Sequence, residues 1–147
     1  MALLNYSTTI QASKTVSEIN VILQTHGARS VTTNYDDAGQ IESLSFEIKT
    51  PHGVAFVKLP VNPDAVLKVM QRYGSHVPSR LQNREQAIRV AWRILKDWVS
   101  AQCAILDTEM VCMEEVFLSY IQTQSGQTVF QVFESRNMIA QKGTPDA

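Results

Sequence analysis

Between Asp97 and Ser135 this 147-residue chain has no lysine or arginine. The same stretch carries six acids (Asp97, Asp107, Glu109, Glu114, Glu115, Glu134), so it cannot balance itself. The missing cations lie just upstream. Residues 65–96 hold seven of the thirteen Lys and Arg against a single acid, Glu85. The formal net charge of −1 therefore hides a basic segment followed by an acidic one. Separation of this kind bears on partners and association rather than on fold.

Other scarcities narrow the field further. Two cysteines, Cys103 and Cys112, exclude a disulfide framework or an all-cysteine zinc site, and both read as buried thiols. No apolar run approaches the roughly 18–20 residues needed to span a bilayer. The opening MALLNYSTTIQ has no basic region and too short an apolar run for a secretory signal, so a cytoplasmic protein without membrane contact is expected. The six glycines come singly, and neither a Walker-type Gly-Lys-Ser nor G-x-S-x-G occurs. His26, His52 and His76 fall at loops or element ends, in no H-E-x-x-H or other ligand spacing. Asp36-Asp37 before Gly39 suits a hairpin turn better than a metal site, and Glu114-Glu115 suit the first turn of a helix. The expectation is a non-enzymatic protein with no catalytic residue, no cofactor and no metal.

What remains has the make-up of a globular domain, 44% hydrophobic and 18% charged, large enough to bury a core unaided. We read one α+β domain over residues 1–140, with a polar, frayed tail over 141–147. Thr15-Val-Ser-Glu18 looks like a capping box opening a helix that stops at Gly27. Val31, Thr33 and Tyr35 alternate, as do Leu44, Phe46 and Ile48, and a third strand runs from Val54 to Leu59. Turns at 36–39 and 50–53 join them into an antiparallel meander, and residues 5–10 offer a fourth, edge strand.

The second half reads as helical. Asn62-Pro63-Asp64 is a helix start, with Val66, Val69, Met70 and Tyr73 as its apolar stripe. Asn83 with Gln86 caps a long helix to about residue 108. That helix has two apolar stripes: Ala87, Ala91, Ile94, Trp98, Ala101 and Ile105, and beside them Ile88, Trp92, Leu95, Val99 and Leu106. Two stripes mean either a central helix covered on two sides or a second stripe that meets another subunit. After a break at 107–111 comes a short helix from Met113 to Ile121. Residues 128–135 fit a helix capped by Thr128 and Gln131, or equally a strand. The fold expected is a three- or four-stranded antiparallel sheet packed on a helical C-terminal half with one long central helix.

The candidate site is the row Arg80, Arg84, Arg89, Arg93 and Lys96, extended by Lys68 and Arg72 on the preceding helix. Cations at i, i+4, i+7 can track phosphates, and arginine grips them bidentately. The competing reading is internal balance. Glu85 and Arg89, and Arg93 and Asp97, are i, i+4 pairs worth about 0.3–0.5 kcal/mol each, and the acids at 107–115 could fold back on the same row. Trp92 and Trp98 read as core, while Tyr35, Phe46 and Phe56 could make an exposed stacking surface.

The block REQAIRVAWRILKDWVSAQCAILDTEMVCMEEVFLSYI, Arg84 to Ile121, resembles a family of small uncharacterised proteins of bacterial genomes and prophage-like regions. The AWRILKDWV core followed by EEVFLSY carries the likeness, and the hairpin region from Tyr35 to Pro60 is similar too. The resemblance implies a phage or mobile-element setting and transfers no site residues.

Three functions are consistent with these residues. The first is an accessory protein, possible in a phage, that binds nucleic acid or a nucleotide-like ligand through the five cations. The second is a protein-interaction module, such as an inhibitor or sequestering protein acting on a host defence system. A hydrolase or transferase with a folded-together His and carboxylates is the third. Self-association, with a dimer favoured, would let the basic segment of one protomer face the acidic segment of another.

Overall fold

A computed structural model describes residues 2–139. The tail expected to fray, 141–147, lies outside the described residues. In chain order the elements are α1 (Ala12–Thr25), β1 (Ser30–Tyr35), β2 (Ile41–Thr50), β3 (Gly53–Lys58), α2 (Pro63–Gln71), a 3-10 turn (Ser79–Leu81), α3 (Arg84–Leu106), α4 (Met113–Val116), a second 3-10 turn (Leu118–Tyr120) and α5 (Val129–Ser135). This is the expected α+β fold, with three strands in the order β1-β2-β3, all antiparallel.

The sheet follows from alternation. Phe46 sits opposite Val31 on one side and Val57 on the other, so one face is apolar. Leu44, Phe46, Ile48, Val57 and Leu59 are all buried and pack in one cluster with Trp92, Leu95 and Val99 of α3. Residues 5–10 form no strand. The free edge of β3 is met instead by Ile121 and Gln122: Val57 bridges Ile121, and Gln122 N donates to the Phe56 carbonyl at 2.7 Å. The turn at 36–39 is held by the Asp36 carboxylate, which accepts from the Ala38 and Gln40 amides, both at 2.9 Å. Both bonds are to Oδ1, the local turn role expected of Asp36.

α3 is the central helix. α1 packs along one side and α2 along another, and the sheet meets it between them. Over the first two thirds of the helix Ala87, Val90, Ala91, Trp92, Leu95 and Val99 are buried, while Ile88, Ile94 and Trp98 of the two stripes are only partly covered. Towards its end Ala101 and Ile105 are exposed. α1 and α3 run in the same direction, since Thr15 and Glu18 meet Arg93 whereas His26 meets Asp107.

Several local expectations are corrected. α1 begins four residues earlier than the capping box placed it, with Gln11 instead of Thr15 as N-cap and no side-chain cap. Thr15 and Glu18 lie within the helix because both are needed to face Arg93. Tyr73 leaves the α2 stripe: the helix ends at Gln71, Arg72 is extended, and the tyrosine is fully exposed. The Met113–Ile121 segment is one turn of α-helix followed by a 3-10 turn. The choice left open at 128–135 falls to a helix, α5, with Thr128 Oγ1 accepting from Gln131 N and Gln131 returning to Thr128 N. Cys112 is exposed at the start of α4 and only Cys103 is a buried thiol. Burial, helped by the nearby Asp107 carboxylate, pushes Cys103 up to about 11.

Candidate anion-binding site

The row of five cations does not form one unpaired face. Arg84, the first residue of α3, pairs with Asp64 in the first turn of α2. Arg93 is largely buried and donates to Glu18 Oε2 at 2.6 Å and to Thr15 Oγ1 at 3.3 Å. Both arginines are used to fasten helices to α3. Neither expected i, i+4 pair forms among the described residues: Arg93 turns to Glu18, and Asp97 accepts from Asn5 Nδ2 at 2.8 Å. Nor do the acids at 107–115 fold back on the row, because Asp107 pairs with His26 at 3.0 Å. The acids that answer the row lie upstream, at 18 and 64.

Arg80 and Arg89 stand apart from these. Arg80, exposed in the first 3-10 turn, and Arg89, half-buried on α3, line one cleft of about 360 Å³. Neither has an ionic partner among the described residues. Ser7, Thr8, Thr9 and Gln11 supply the facing wall. Gln11 is the N-cap of α1, whose first amides lack a side-chain cap, so the positive end of that helix opens beside the two guanidinium groups.

Gln86 builds this arrangement. It is buried, and its Nε2 donates to the carbonyls of Tyr6 and Thr8 at 2.8 and 2.9 Å. Its Oε1 accepts from Arg89 Nε at 3.0 Å. One amide therefore pins the N-terminal segment to α3 and fixes the root of the Arg89 guanidinium, leaving its terminal nitrogens for the cleft. A buried side-chain amide left unbonded costs about 1–3 kcal/mol, so the three bonds are mutually enforcing. Glu85 and Arg89 line a neighbouring depression together, but they make no ion pair. Lys96 is half-buried, lies two turns further along α3, and joins neither arginine cluster.

Sequence reasoning found both arginines and missed the wall opposite them. Gln86 was read only as a capping partner of Asn83. That cap does form, with Asn83 Oδ1 accepting from Gln86 N at 2.9 Å, while the side chain goes elsewhere. Ser7, Thr8 and Thr9, expected within an edge strand over residues 5–10, instead form part of this wall. Of the three aromatics proposed as a stacking surface on the sheet, Phe46 faces the core, whereas Tyr35 and Phe56 are exposed on the opposite face. Among the described residues no three His, Cys, Asp or Glu side chains gather as a metal site, and no helix is long and apolar enough to cross a membrane.

No protein-family model, curated protein or solved structure matches this chain. The cleft is therefore read from its own chemistry: two cations, one of them held by Gln86, a helix N-terminus and three hydroxyl-bearing residues converging on one hollow. That set can hold a compact anion through charge-assisted hydrogen bonds. It contains no nucleophile paired with a base.

Proposed function

We propose that this protein is a non-enzymatic accessory protein that binds a phosphate-bearing ligand, nucleotide-like or part of a nucleic acid, in the Arg80–Arg89 cleft. The observation that carries the reading is the convergence of two arginines from different elements, without carboxylates, beside the uncapped start of α1. Arg84 and Arg93 serve the fold rather than the ligand, which favours a single phosphate group over a long phosphate track.

The test is a titration with ATP, pyrophosphate and a fluorescent single-stranded oligonucleotide at several salt concentrations. Arg80→Glu/Arg89→Glu should weaken binding by at least about a hundredfold, from two charge-assisted contacts of about 1.5–3 kcal/mol each. Lys68→Glu/Arg72→Glu, outside the cleft, should change ATP binding little. Equal loss in both double variants would replace the cleft with diffuse attraction. Binding unchanged in the first would remove the reading altogether.

A further inference from the structure

The sheet has two outer edges, and the fold closes one of them. β3 is met by Ile121 and Gln122, whereas β1 pairs with β2 alone. Leu59 N donates to the Leu44 carbonyl, so the even-numbered residues of β2 bond to β3 and the odd-numbered ones to β1. By the register, Ser30, Thr32 and Asn34 then turn their backbone groups to β2, and Val31 and Thr33 turn theirs outward. No backbone bond from elsewhere among the described residues reaches those outward groups. We propose that the β1 edge is a dimer interface, along which a second copy pairs antiparallel and joins the two sheets into one. The inference stands independently of the anion reading.

Exposed strand edges are ordinarily blunted by lysine, by proline or by a covering element. β1 reads SVTTNY, with no charge and no proline, and Ser30, Thr32, Asn34 and Tyr35 are exposed. A bulge between Asn34 and Tyr35 ends the regular strand, so the stretch on offer is 30–34. A two-fold axis at Thr32 uses all of it. Val31 of each copy then exchanges both backbone bonds with Thr33 of the other, and no outward amide or carbonyl is left over. On the wet face Thr32 meets Thr32 and Ser30 meets Asn34, small polar pairs that hydrogen-bond across strands.

Charge points to a second copy as the occupant. Arg29 precedes the strand and Asp36-Asp37 follow it. None of the three has an ionic partner among the described residues. Asp36 commits only Oδ1 to its turn. Antiparallel pairing sets the Arg29 of each copy beside the acidic end of the other, so opposite charges meet at both ends. A parallel arrangement would bring like charges together instead. Any other strand would need a base before it and acids after it, and this chain already supplies both.

Sedimentation equilibrium from about 10 μM to about 1 mM, with amide exchange followed by NMR, tests the proposal. A dimer should form within that range. The Val31 and Thr33 amides should exchange at least about tenfold more slowly in the concentrated sample than in the dilute one. Thr33→Pro deletes an outward amide and spares the bonds to β2, so the monomer should fold and the dimer should be lost. Arg29→Glu and Asp37→Lys should each weaken association at least about tenfold, and Arg29→Glu/Asp37→Lys should recover it. For the register, Thr32→Cys on a Cys112→Ser background should form a disulfide-linked dimer under a mild copper oxidant, because the two positions face each other. Ser30→Cys, which faces Asn34, should not. A monomer throughout the range, a dimer indifferent to Thr33→Pro, or a charge-swapped variant that stays monomeric would each overturn the proposal. So would crosslinking through position 30 in place of 32.

Discussion

Arg89 and Arg93 stand one helical turn apart on α3, each between apolar neighbours, and the fold gives them opposite fates. Arg93 faces α1, where Glu18 and Thr15 take its donors, and becomes a fastening. Arg89 faces the N-terminal segment, which offers hydroxyls and no carboxylate; it donates to Gln86 of its own helix and has no ionic partner among the described residues. The tryptophans make the same contrast. Trp92 is wholly buried, and Trp98, six residues on, is half-buried at the wall of a hollow that it shares with Val66, Ile94 and Tyr120. What a residue on this helix does depends on which neighbour it meets, and helical spacing alone does not say which.

Mutations can sharpen that contrast. The largest effect expected is for Trp92→Ala, about 3–5 kcal/mol of lost stability in chemical denaturation. Trp98→Ala should cost roughly half as much, because less of the ring leaves an apolar setting. If the two losses were equal, the distinction between core and wall would fail. Next, Arg93→Met should cost about 1.5–3 kcal/mol by stranding Glu18 beside α3. Arg89→Met should fall within about 0.5 kcal/mol and show itself in anion binding instead.

The fold was legible to the extent that periodicity decides it. Alternation in Leu44-x-Phe46-x-Ile48 picked the buried face, and Asn62-Pro63 and Asn83 marked helix starts that the backbone uses, because cap chemistry is local. The site was legible only in part. That Arg84 and Arg93 would be consumed depends on Asp64 and Glu18, 20 and 75 residues away in sequence, so no local pattern announces it. Gln86 shows the same limit, as its amide reaches back 78 and 80 residues. The expected i, i+4 pairs lost for a physical reason: a partly buried carboxylate competes better for Arg93 than the solvated Asp97 does.

Two further effects extend the comparison to the thiols. Because Cys103 is raised from 9.0 to about 11, the folded state keeps its proton where the unfolded chain loses it. Its stabilising share is complete below pH 9 and disappears as pH climbs through about 11. Between those limits the wild type should lose on the order of 2–3 kcal/mol that Cys103→Ala does not lose. Thiol labelling of the native protein should be confined to Cys112, with Cys103 reacting only after unfolding. Native labelling of both would place Cys103 at the surface.

The shared direction of α1 and α3 has one more consequence. Two helices of 14 and 23 residues add their peptide dipoles instead of cancelling them. Arginines gather near one pair of ends, and carboxylates follow the other from Asp107 onward. Aligned peptide dipoles with charge segregated along the chain predict a permanent dipole in a molecule of almost zero net charge. It should turn to face a charged surface before touching it, and transient electric birefringence in dilute salt would register that alignment.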